Sequence, residues 1–312
     1  MCIKTLLVVF LLILVGCNMF SFGQTLPDSL NNVLDKKTDT EKIEYLNNLA
    51  EKNIKVSPDK SIDYSNLSLE ISRKIKNRNG ELNSLIILGK ATKATGKYSE
   101  SIGYIREASD IYLAANRKDG VAYCYSEIGA IYRELNQYDN SIDELSKALK
   151  IYQELKDNNN TDLILNNIGN NYFNKQSYQK AIEYYKKSLE INESSGNNKD
   201  IAIMLNQIGA SYANWGNYEE ALKYLEKAKK IAETNNYTKL LSSISKNIDD
   251  VEYNLTNSEN VKTEFDKEKS ALQEQYVSSL ETENLVVRKE NQISFEEIEK
   301  LSFENQAKEL KL

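Results

Sequence analysis

Apolar and small residues recur along this chain at a fixed interval of 40 residues. Within each interval the apolar side chains fall at steps of three and four, the spacing of one face of an α-helix. The positions that keep the interval in phase are glycines at Gly89, Gly129, Gly169 and Gly209, tyrosines at Tyr98, Tyr138, Tyr178 and Tyr218, and isoleucines at Ile111, Ile151, Ile191 and Ile231. A period shared by several residue types indicates one supersecondary unit copied in tandem.

Two breaks divide each unit. Inside a unit the break falls at residue types that tolerate or suit a helix end, namely Gly96, Asn136, Gln176 and Gly216. A second break is expected between units, at Gly80, Gly120, Asn160 and Asp200. Each unit is therefore predicted to be a hairpin of two amphipathic helices.

The recurring glycine lies inside the first helix, where it costs about 0.5 to 1 kcal/mol relative to Ala. Close approach of the second helix gives a reason for this repeated cost. Small residues complete the contact from the second helix, at Ser101, Ser141, Ala181 and Ala221 and again at Ala108, Ala148, Ser188 and Ala228. The unit is predicted to be a tightly packed hairpin.

These residues resemble the tetratricopeptide repeat. The family pattern is a large apolar residue, Leu-Gly, Tyr, then Ala, an aromatic residue or Leu, and Ala. It fits Tyr125, Ile128, Gly129, Tyr132, Ser141, Leu145 and Ala148, and again Leu205, Ile208, Gly209, Tyr212, Ala221, Leu225 and Ala228. The commonest unit has about 34 residues, and the longer unit here is similar to the repeats of kinesin light chain. The resemblance implies an all-α fold, a right-handed superhelix or α-solenoid of helical hairpins.

The repeat phase predicts the organisation of the whole chain. The segments are a signal peptide at 1–23, an N-terminal helix or cap at 24–40, a divergent repeat at 41–80, full repeats at 81–120, 121–160, 161–200 and 201–240, a degenerate repeat at 241–265, and a charged helix or coiled coil at 266–312. The divergent repeat has Leu49 at the glycine position and Pro58 at the tyrosine position, and Pro is sterically allowed where a helix opens. In the degenerate repeat we expect a break at 256–260.

The first residues read as a targeting segment. Lys4 precedes an apolar run from Leu6 to Val15 that is short for a membrane span and suits a secretory signal. Two processing sites are compatible with it: cleavage before Gln24, or lipidation of Cys17 in a lipobox-like sequence. The protein is expected to be exported, as a periplasmic or secreted protein or as a membrane-anchored lipoprotein.

The tail is rich in Glu, Lys, Gln and Leu and contains no Gly or Pro. Its apolar residues follow steps of seven and four with gaps, at Phe265, Leu272, Tyr276, Leu280, Val287, Ile298, Leu301 and Leu312. Asn291 and Asn305 would lie in the same seam, where Asn favours dimers. A homodimer through a coiled coil and a lone solvated helix are both compatible with this spacing.

Several kinds of chemistry are excluded by composition. The chain has no histidine, which removes Ser-His and Cys-His nucleophile pairs and His-ligated zinc. Packing and turns account for nearly all the glycines, so no phosphate-binding loop is predicted. A net charge of -6 without a basic stripe argues against nucleic-acid binding. Cys124, beside the packing positions, is interpreted as a small buried hydrophobe. We expect no catalysis, no cofactor and no metal site.

The resemblance implies that the first helix of each hairpin lines a concave groove. The groove positions are Lys90, Lys93, Tyr123, Ser126, Arg133, Asn166, Asn167, Asn170, Phe173, Asn206 and Gln207. Asn side chains donate and accept together, so they suit the backbone of an extended peptide whatever its sequence. The alternative is that Asn is simply abundant, since it also fills predicted loops such as 158–160. Tyr184 and Tyr185 are interpreted as core residues.

The predicted function is the binding of a protein or peptide by an exported adaptor without catalytic activity. A signal peptide followed by such repeats and a charged helix also resembles the extracytoplasmic sensor region of Bacteroidetes histidine kinases and transcriptional regulators. The alternative is therefore the sensing part of a signal-transduction protein. Membrane association is expected only through a lipidated Cys17 or as part of a longer receptor.

Overall fold

The fold is all-α in the computed structural model, which describes residues 28–309. The signal segment with Cys17, and Leu312 at the other end, lie outside the described residues. The helices are α1 (Asp28–Leu34), α2 (Asp39–Asn53), α3 (Pro58–Lys74), α4 (Arg78–Ala94), α5 (Tyr98–Ala114), α6 (Lys118–Glu134), α7 (Tyr138–Glu154), α8 (Asn158–Asn174), α9 (Tyr178–Ser195), α10 (Asn198–Asn214), α11 (Tyr218–Thr234) and α12 (Thr238–Glu309). The predicted helical hairpins and the long C-terminal helix are both present.

Two compact units divide the chain, one up to Lys156 and one from Asp157. In unit 1 each helix from α2 to α7 packs against the next, and in unit 2 each helix from α8 to α12 does the same. The core of unit 1 contains Leu85, Leu88, Ile105 and Ile128. The core of unit 2 contains Tyr185, Ile208, Leu225 and Ile244 among others. No helix in residues 28–309 is long and apolar enough to cross a membrane.

A turn occurs every 20 residues, and these turns share one backbone conformation. A residue with positive φ ends each helix from α3 to α11, at Lys76, Gly96, Asn116, Asn136, Lys156, Gln176, Gly196, Gly216 and Asn236. At Asn136, for example, φ is 57°, and Gln137 N donates to Tyr132 O at 2.8 Å. This is the left-handed C-terminal cap that satisfies the last helical carbonyls. Asn136, Gln176 and their equivalents therefore stand in the turn predicted for them.

The turns between repeats lie a few residues before the expected positions. Gly80, for example, is inside the first turn of α4, where its N–H donates to Asn77 Oδ1 at 3.0 Å. A Cβ added at Gly80 would lie 2.8 Å from Ile43 Cγ2, and one at Gly120 would lie 2.2 Å from the Tyr112 ring. These glycines allow close helix packing between repeats, so the expectation of a break at them was wrong.

The break expected at 256–260 is also absent, because α12 is one helix of 72 residues. Thr256 stands 20 residues after Asn236, where the next turn would fall. A β-branched residue, however, is a severe outlier at positive φ. Its hydroxyl donates to Glu252 O at 2.9 Å, as a helical Thr does. Asp249, exposed, replaces the recurring glycine. Without that glycine, a second helix would have no site for close packing against the first. The first helix therefore continues as α12.

The glycines of the first helices lie against the second helices. A Cβ added at Gly129 would be 2.8 Å from Leu145 Cγ, and one at Gly209 would be 2.7 Å from Leu225 Cγ. Ser141 Oγ also donates to Gly129 O at 2.7 Å across the hairpin. The close approach inferred from the repeated glycine is therefore present.

Candidate functional site

The predicted groove residues divide between the two units, and all are half-buried. Five lie on α4 and α6 of unit 1: Lys90, Lys93, Tyr123, Ser126 and Arg133. The other six lie on α8 and α10 of unit 2: Asn166, Asn167, Asn170, Phe173, Asn206 and Gln207.

In unit 1 the basic groove residues have partners inside the protein. Lys93 Nζ lies 2.9 Å from Glu134 Oε1, and Lys90 Nζ lies 5.6 Å from the centre of the Tyr123 ring. Burial, together with Glu127, raises the pKa of Tyr123 well above its usual range. These contacts join α4 to α6, so the attraction that Lys93 offers to an acidic ligand is reduced by its own carboxylate partner.

In unit 2 the amides of successive first helices bond to one another. Asn170 Oδ1 accepts from Gln207 Nε2 at 3.2 Å, and Asn170 Nδ2 donates to Asn166 Oδ1 at 3.3 Å. Asn247 Nδ2, on α12, donates to Asn206 Oδ1 at 2.9 Å. We call Asn166, Asn167, Asn170, Asn206, Gln207 and Asn247 the amide face. It spans α8, α10 and α12.

A core tyrosine anchors this face. The Tyr185 ring is buried, with 2% of its surface exposed, and its hydroxyl donates to Asn170 Oδ1 at 2.8 Å. Burial raises the pKa of Tyr185 far above its usual range, so the phenol stays protonated and remains a donor. Tyr185 is thus a core residue, as interpreted from its spacing, with an added role in holding Asn170.

The internal bonds leave specific hydrogen-bonding capacity on the face. Oδ1 of Asn166 and of Asn206 each accept a bond, whereas their Nδ2 groups donate none within the described residues. Gln207 Oε1 is buried and has no partner there either. A buried acceptor without a partner costs about 1 to 3 kcal/mol. The Gln207 oxygen is enclosed by the protein, so it is not available to a ligand. The face offers the spare Nδ2 donors and, because an amide oxygen has two lone pairs, a second acceptor site on Asn166 Oδ1 and on Asn206 Oδ1.

A cleft of about 480 Å³ adjoins the amide face between α10 and α12. Asn247 belongs to both, since it bonds to Asn206 and lines the cleft. The lining is Ala210, Ala213, Asn214, Tyr218, Asn247, Asp250, Val251, Tyr253 and Asn254. Tyr253 is 69% exposed. A volume in this range suits a side chain or a small ligand.

The sequence interpretation missed the α12 part of this site. Asn247 stands 40 residues after Gln207, and Asn254 stands 40 residues after Asn214. The repeat phase contained this signal, but the groove was not continued into the degenerate repeat. The helix of that repeat nevertheless packs beside α10 and α11, so its face extends the site.

Cys124 is not part of any site in the described residues. Its side chain is fully buried, and burial, with a smaller contribution from Glu127, raises the pKa of its thiol to about 12. The thiolate that would act as a nucleophile is therefore strongly disfavoured. The interpretation of Cys124 as a packing residue agrees with this environment.

The fold is that of a helical repeat protein built from tandem helical hairpins. The family model of the tetratricopeptide repeat matches residues 120–194 and 160–234. Residues 120–234 therefore consist of tetratricopeptide repeats. A search of curated protein sequences finds no match to it.

Solved structures share the fold at low sequence identity. A Signal Transduction ATPase with Numerous Domains from Pyrococcus horikoshii, which has a tetratricopeptide repeat sensor, aligns over 70% of this chain and 34% of its own length (18% identity, TM-score 0.63). Aspartyl phosphate phosphatase F from Bacillus subtilis aligns over 71% and 60% (18% identity, TM-score 0.60). The nearly identical repeats of a kinesin light chain from Podospora anserina align over 65% of this chain and 100% of their own length (14% identity, TM-score 0.56).

Proposed function

We propose that this protein is an exported, non-catalytic binding protein whose amide face and adjoining cleft hold an extended polypeptide. The observation that carries the proposal is that the face has both hydrogen-bond donors and hydrogen-bond acceptors available. Asn166 and Asn206 have spare N–H donors, and each of their amide oxygens accepts one hydrogen bond and keeps a second lone pair. A polypeptide backbone presents both a C=O and an N–H at each residue, so it matches a surface with both needs.

The cleft adds a chemical preference to this backbone contact. Asp250 places a carboxylate on its wall, and Tyr218 and Tyr253 place phenol rings beside it. A carboxylate near aromatic rings suits a Lys or Arg side chain of the ligand, because the cation gains both an ion pair and a cation–π contact. The basic residues of unit 1, Lys90, Lys93 and Arg133, would by contrast suit an acidic ligand.

The binding test uses a phage-displayed library of random dodecapeptides, followed by fluorescence anisotropy of the selected peptides. Asn166→Ala/Asn206→Ala should weaken binding about tenfold or more, because each lost hydrogen bond costs about 0.5 to 1.5 kcal/mol. The matched control is Asn158→Ala/Asn198→Ala. It changes exposed asparagines on the same two helices, outside the amide face, and should change the affinity less than twofold.

Equal affinities for the two double variants would show that the amide face is not the binding site. Circular dichroism checks that both variants remain folded. If Asn166→Ala/Asn206→Ala unfolds, the single variant Asn206→Ala is measured instead, and an unchanged affinity for it would count equally against the site.

A sensing role in signal transduction is the second candidate, and one observation favours it. Asn247 and Asp250, which line the cleft, lie on the same helix α12 that continues to Glu309. A ligand in the cleft would touch this helix directly. Hydrogen exchange recorded in the same peptide titration separates the two roles. A sensor should show altered exchange in residues 261–301, whereas a simple adaptor should show changes only around the amide face and the cleft.

Export of the protein is the remaining part of the proposal, and it rests on the apolar run from Leu6 to Val15 after Lys4. Cell fractionation should find the protein outside the cytoplasm, and replacing Leu12 and Leu14 by Arg should retain it inside. Recovery of both forms from the cytoplasm would refute export. The mass of the mature N-terminus distinguishes cleavage before Gln24 from lipidation of Cys17.

A further inference from the structure

The distal part of α12 has no partner in the described protein. After Leu255 every described side chain is exposed, although the helix continues to Glu309. At a rise of about 1.5 Å per residue this segment is roughly 80 Å long. An isolated helix without a packed face is marginal in water. Its exposed apolar residues therefore indicate that the segment packs against a partner.

A regular seam runs through residues 277–301 of this segment. Its members are separated by alternating steps of three and four, as the two core positions of a coiled coil are. They are Val277, Leu280, Asn284, Val287, Asn291, Ser294, Ile298 and Leu301. The apolar members are exposed large side chains, from 39% for Leu280 to 64% for Ile298. A seam made of these two core positions is narrow enough for one facing helix to cover it.

We propose that a second copy of this chain covers the seam, in a parallel two-stranded coiled coil with both helices in register. The positions of the asparagines favour this arrangement. Asn284 and Asn291 both occupy the first core position of the heptad, called a, where a parallel partner places the same residue opposite. The two amides can then bond to each other, which favours dimers and fixes the register.

An antiparallel partner satisfies the asparagines less well. Alignment of the same eight seam positions in opposite directions would place Asn291 opposite Val287. An amide buried against an aliphatic side chain loses its hydrogen bonds with water and gains none, at a cost of about 1 to 3 kcal/mol. The asparagines thus favour the parallel arrangement.

Charges beside the seam favour the same arrangement. In a parallel pair, Glu283 faces Arg288 of the second copy, and this contact occurs twice because of the twofold symmetry. In the antiparallel pair, Glu283 would lie near Glu297, which is a like-charge contact. Ion pairs at these flanking positions set partner choice and orientation in coiled coils. The proposal is independent of the peptide-binding role.

Sedimentation equilibrium of the full chain tests the seam. The wild type should be a dimer, and Leu280→Asp/Val287→Asp should weaken the dimer at least roughly a hundredfold, because two buried apolar residues per chain are lost. The matched control is Leu285→Asp/Val286→Asp, which changes two other exposed apolar residues of the same helix, a Leu and a Val outside the seam. It should leave the dimer intact.

Cysteine cross-linking tests the orientation, in a chain that also carries Cys2→Ser and Cys17→Ser. Ser294→Cys should form a disulfide between copies, since a parallel, in-register pair brings equivalent seam positions together. In the antiparallel pair the two residues would be about 15 Å apart along the axis. Ser278→Cys, outside the seam, should cross-link poorly.

Three results would overturn the proposal. They are a monomeric wild type, a dimer weakened more by the control pair than by the seam pair, and a seam-dependent dimer in which Ser294→Cys does not cross-link. If Leu280→Asp/Val287→Asp also lowers the helicity of α12, the comparison remains valid, because the control variant replaces one Leu and one Val of the same helix by Asp as well.

Discussion

Gly209→Ala should destabilise the protein by about 1 to 3 kcal/mol, although Ala is the better helix former. The added Cβ would lie 2.7 Å from Leu225 Cγ and 3.1 Å from Ala221 O. Leu225 is fully buried, and Ala221 O belongs to the backbone of α11, so neither atom can move without shifting the second helix. Overpacking should therefore outweigh the gain in helix propensity.

Gly103→Ala is the matched control, because it makes the same change in a helix with the opposite surroundings. Gly103 lies in α5 and is exposed, and an added Cβ meets no atom within 4 Å. This variant should be more stable by about 0.5 to 1 kcal/mol. Urea and thermal unfolding of both variants measure the difference. Equal signs for the two would show that the repeated glycine is not a steric requirement.

Arg73→Leu is expected to cost about 1 to 3 kcal/mol, because it removes one partner of a buried carboxylate. The Glu81 side chain is only 9% exposed, and Arg73 Nε lies 3.1 Å from Glu81 Oε1. The same guanidinium also pairs with Glu107. Arg73 thus joins α3, α4 and α5 across two repeats. Leucine keeps part of the apolar stem and removes the charge.

Arg78→Leu provides the comparison, because Arg78 contacts the same carboxylate. Arg78 Nη1 lies 2.8 Å from Glu81 Oε2, but it is one turn away on the same helix and its side chain is 75% exposed. Because the Arg78 side chain is mostly in solvent, its contact with Glu81 is expected to contribute about 0.5 kcal/mol or less. Chemical denaturation should rank Arg73→Leu well below Arg78→Leu in stability. Similar losses would contradict the role of Arg73 as the contact between repeats.

Local signals in the sequence predicted most of the fold. The spacing of apolar residues and the residues at the turns depend only on neighbours along the chain, so Gly96, Asn136, Gln176 and Gly216 could be placed correctly. The repetition of the pattern supplied a further check, because the same glycine in four hairpins pointed to close helix contact. The exact turn between repeats was misplaced, since Gly80 and Gly120 serve in packing as well as lying near a helix end.

The end of the repeat array was harder to predict, because it is marked only by the absence of a suitable turn residue. Val261 and Phe265 continued the apolar pattern, which suggested a second helix after a turn. The helix instead passes through Thr256, because that residue does not suit the left-handed conformation on which the other turns rely. The chemistry of one turn position outweighed the continued periodicity.

The sequence by itself determined the repeat length, the pairing of helices and the Asn-rich character of their first helices, because periodicity and residue type are local properties. Only the tertiary structure decided how those amides are used. The bonds from Tyr185 to Asn170, from Gln207 to Asn170 and from Asn247 to Asn206 join residues on different helices. Their formation depends on the distance and rotation between packed helices, which no pattern along the chain specifies.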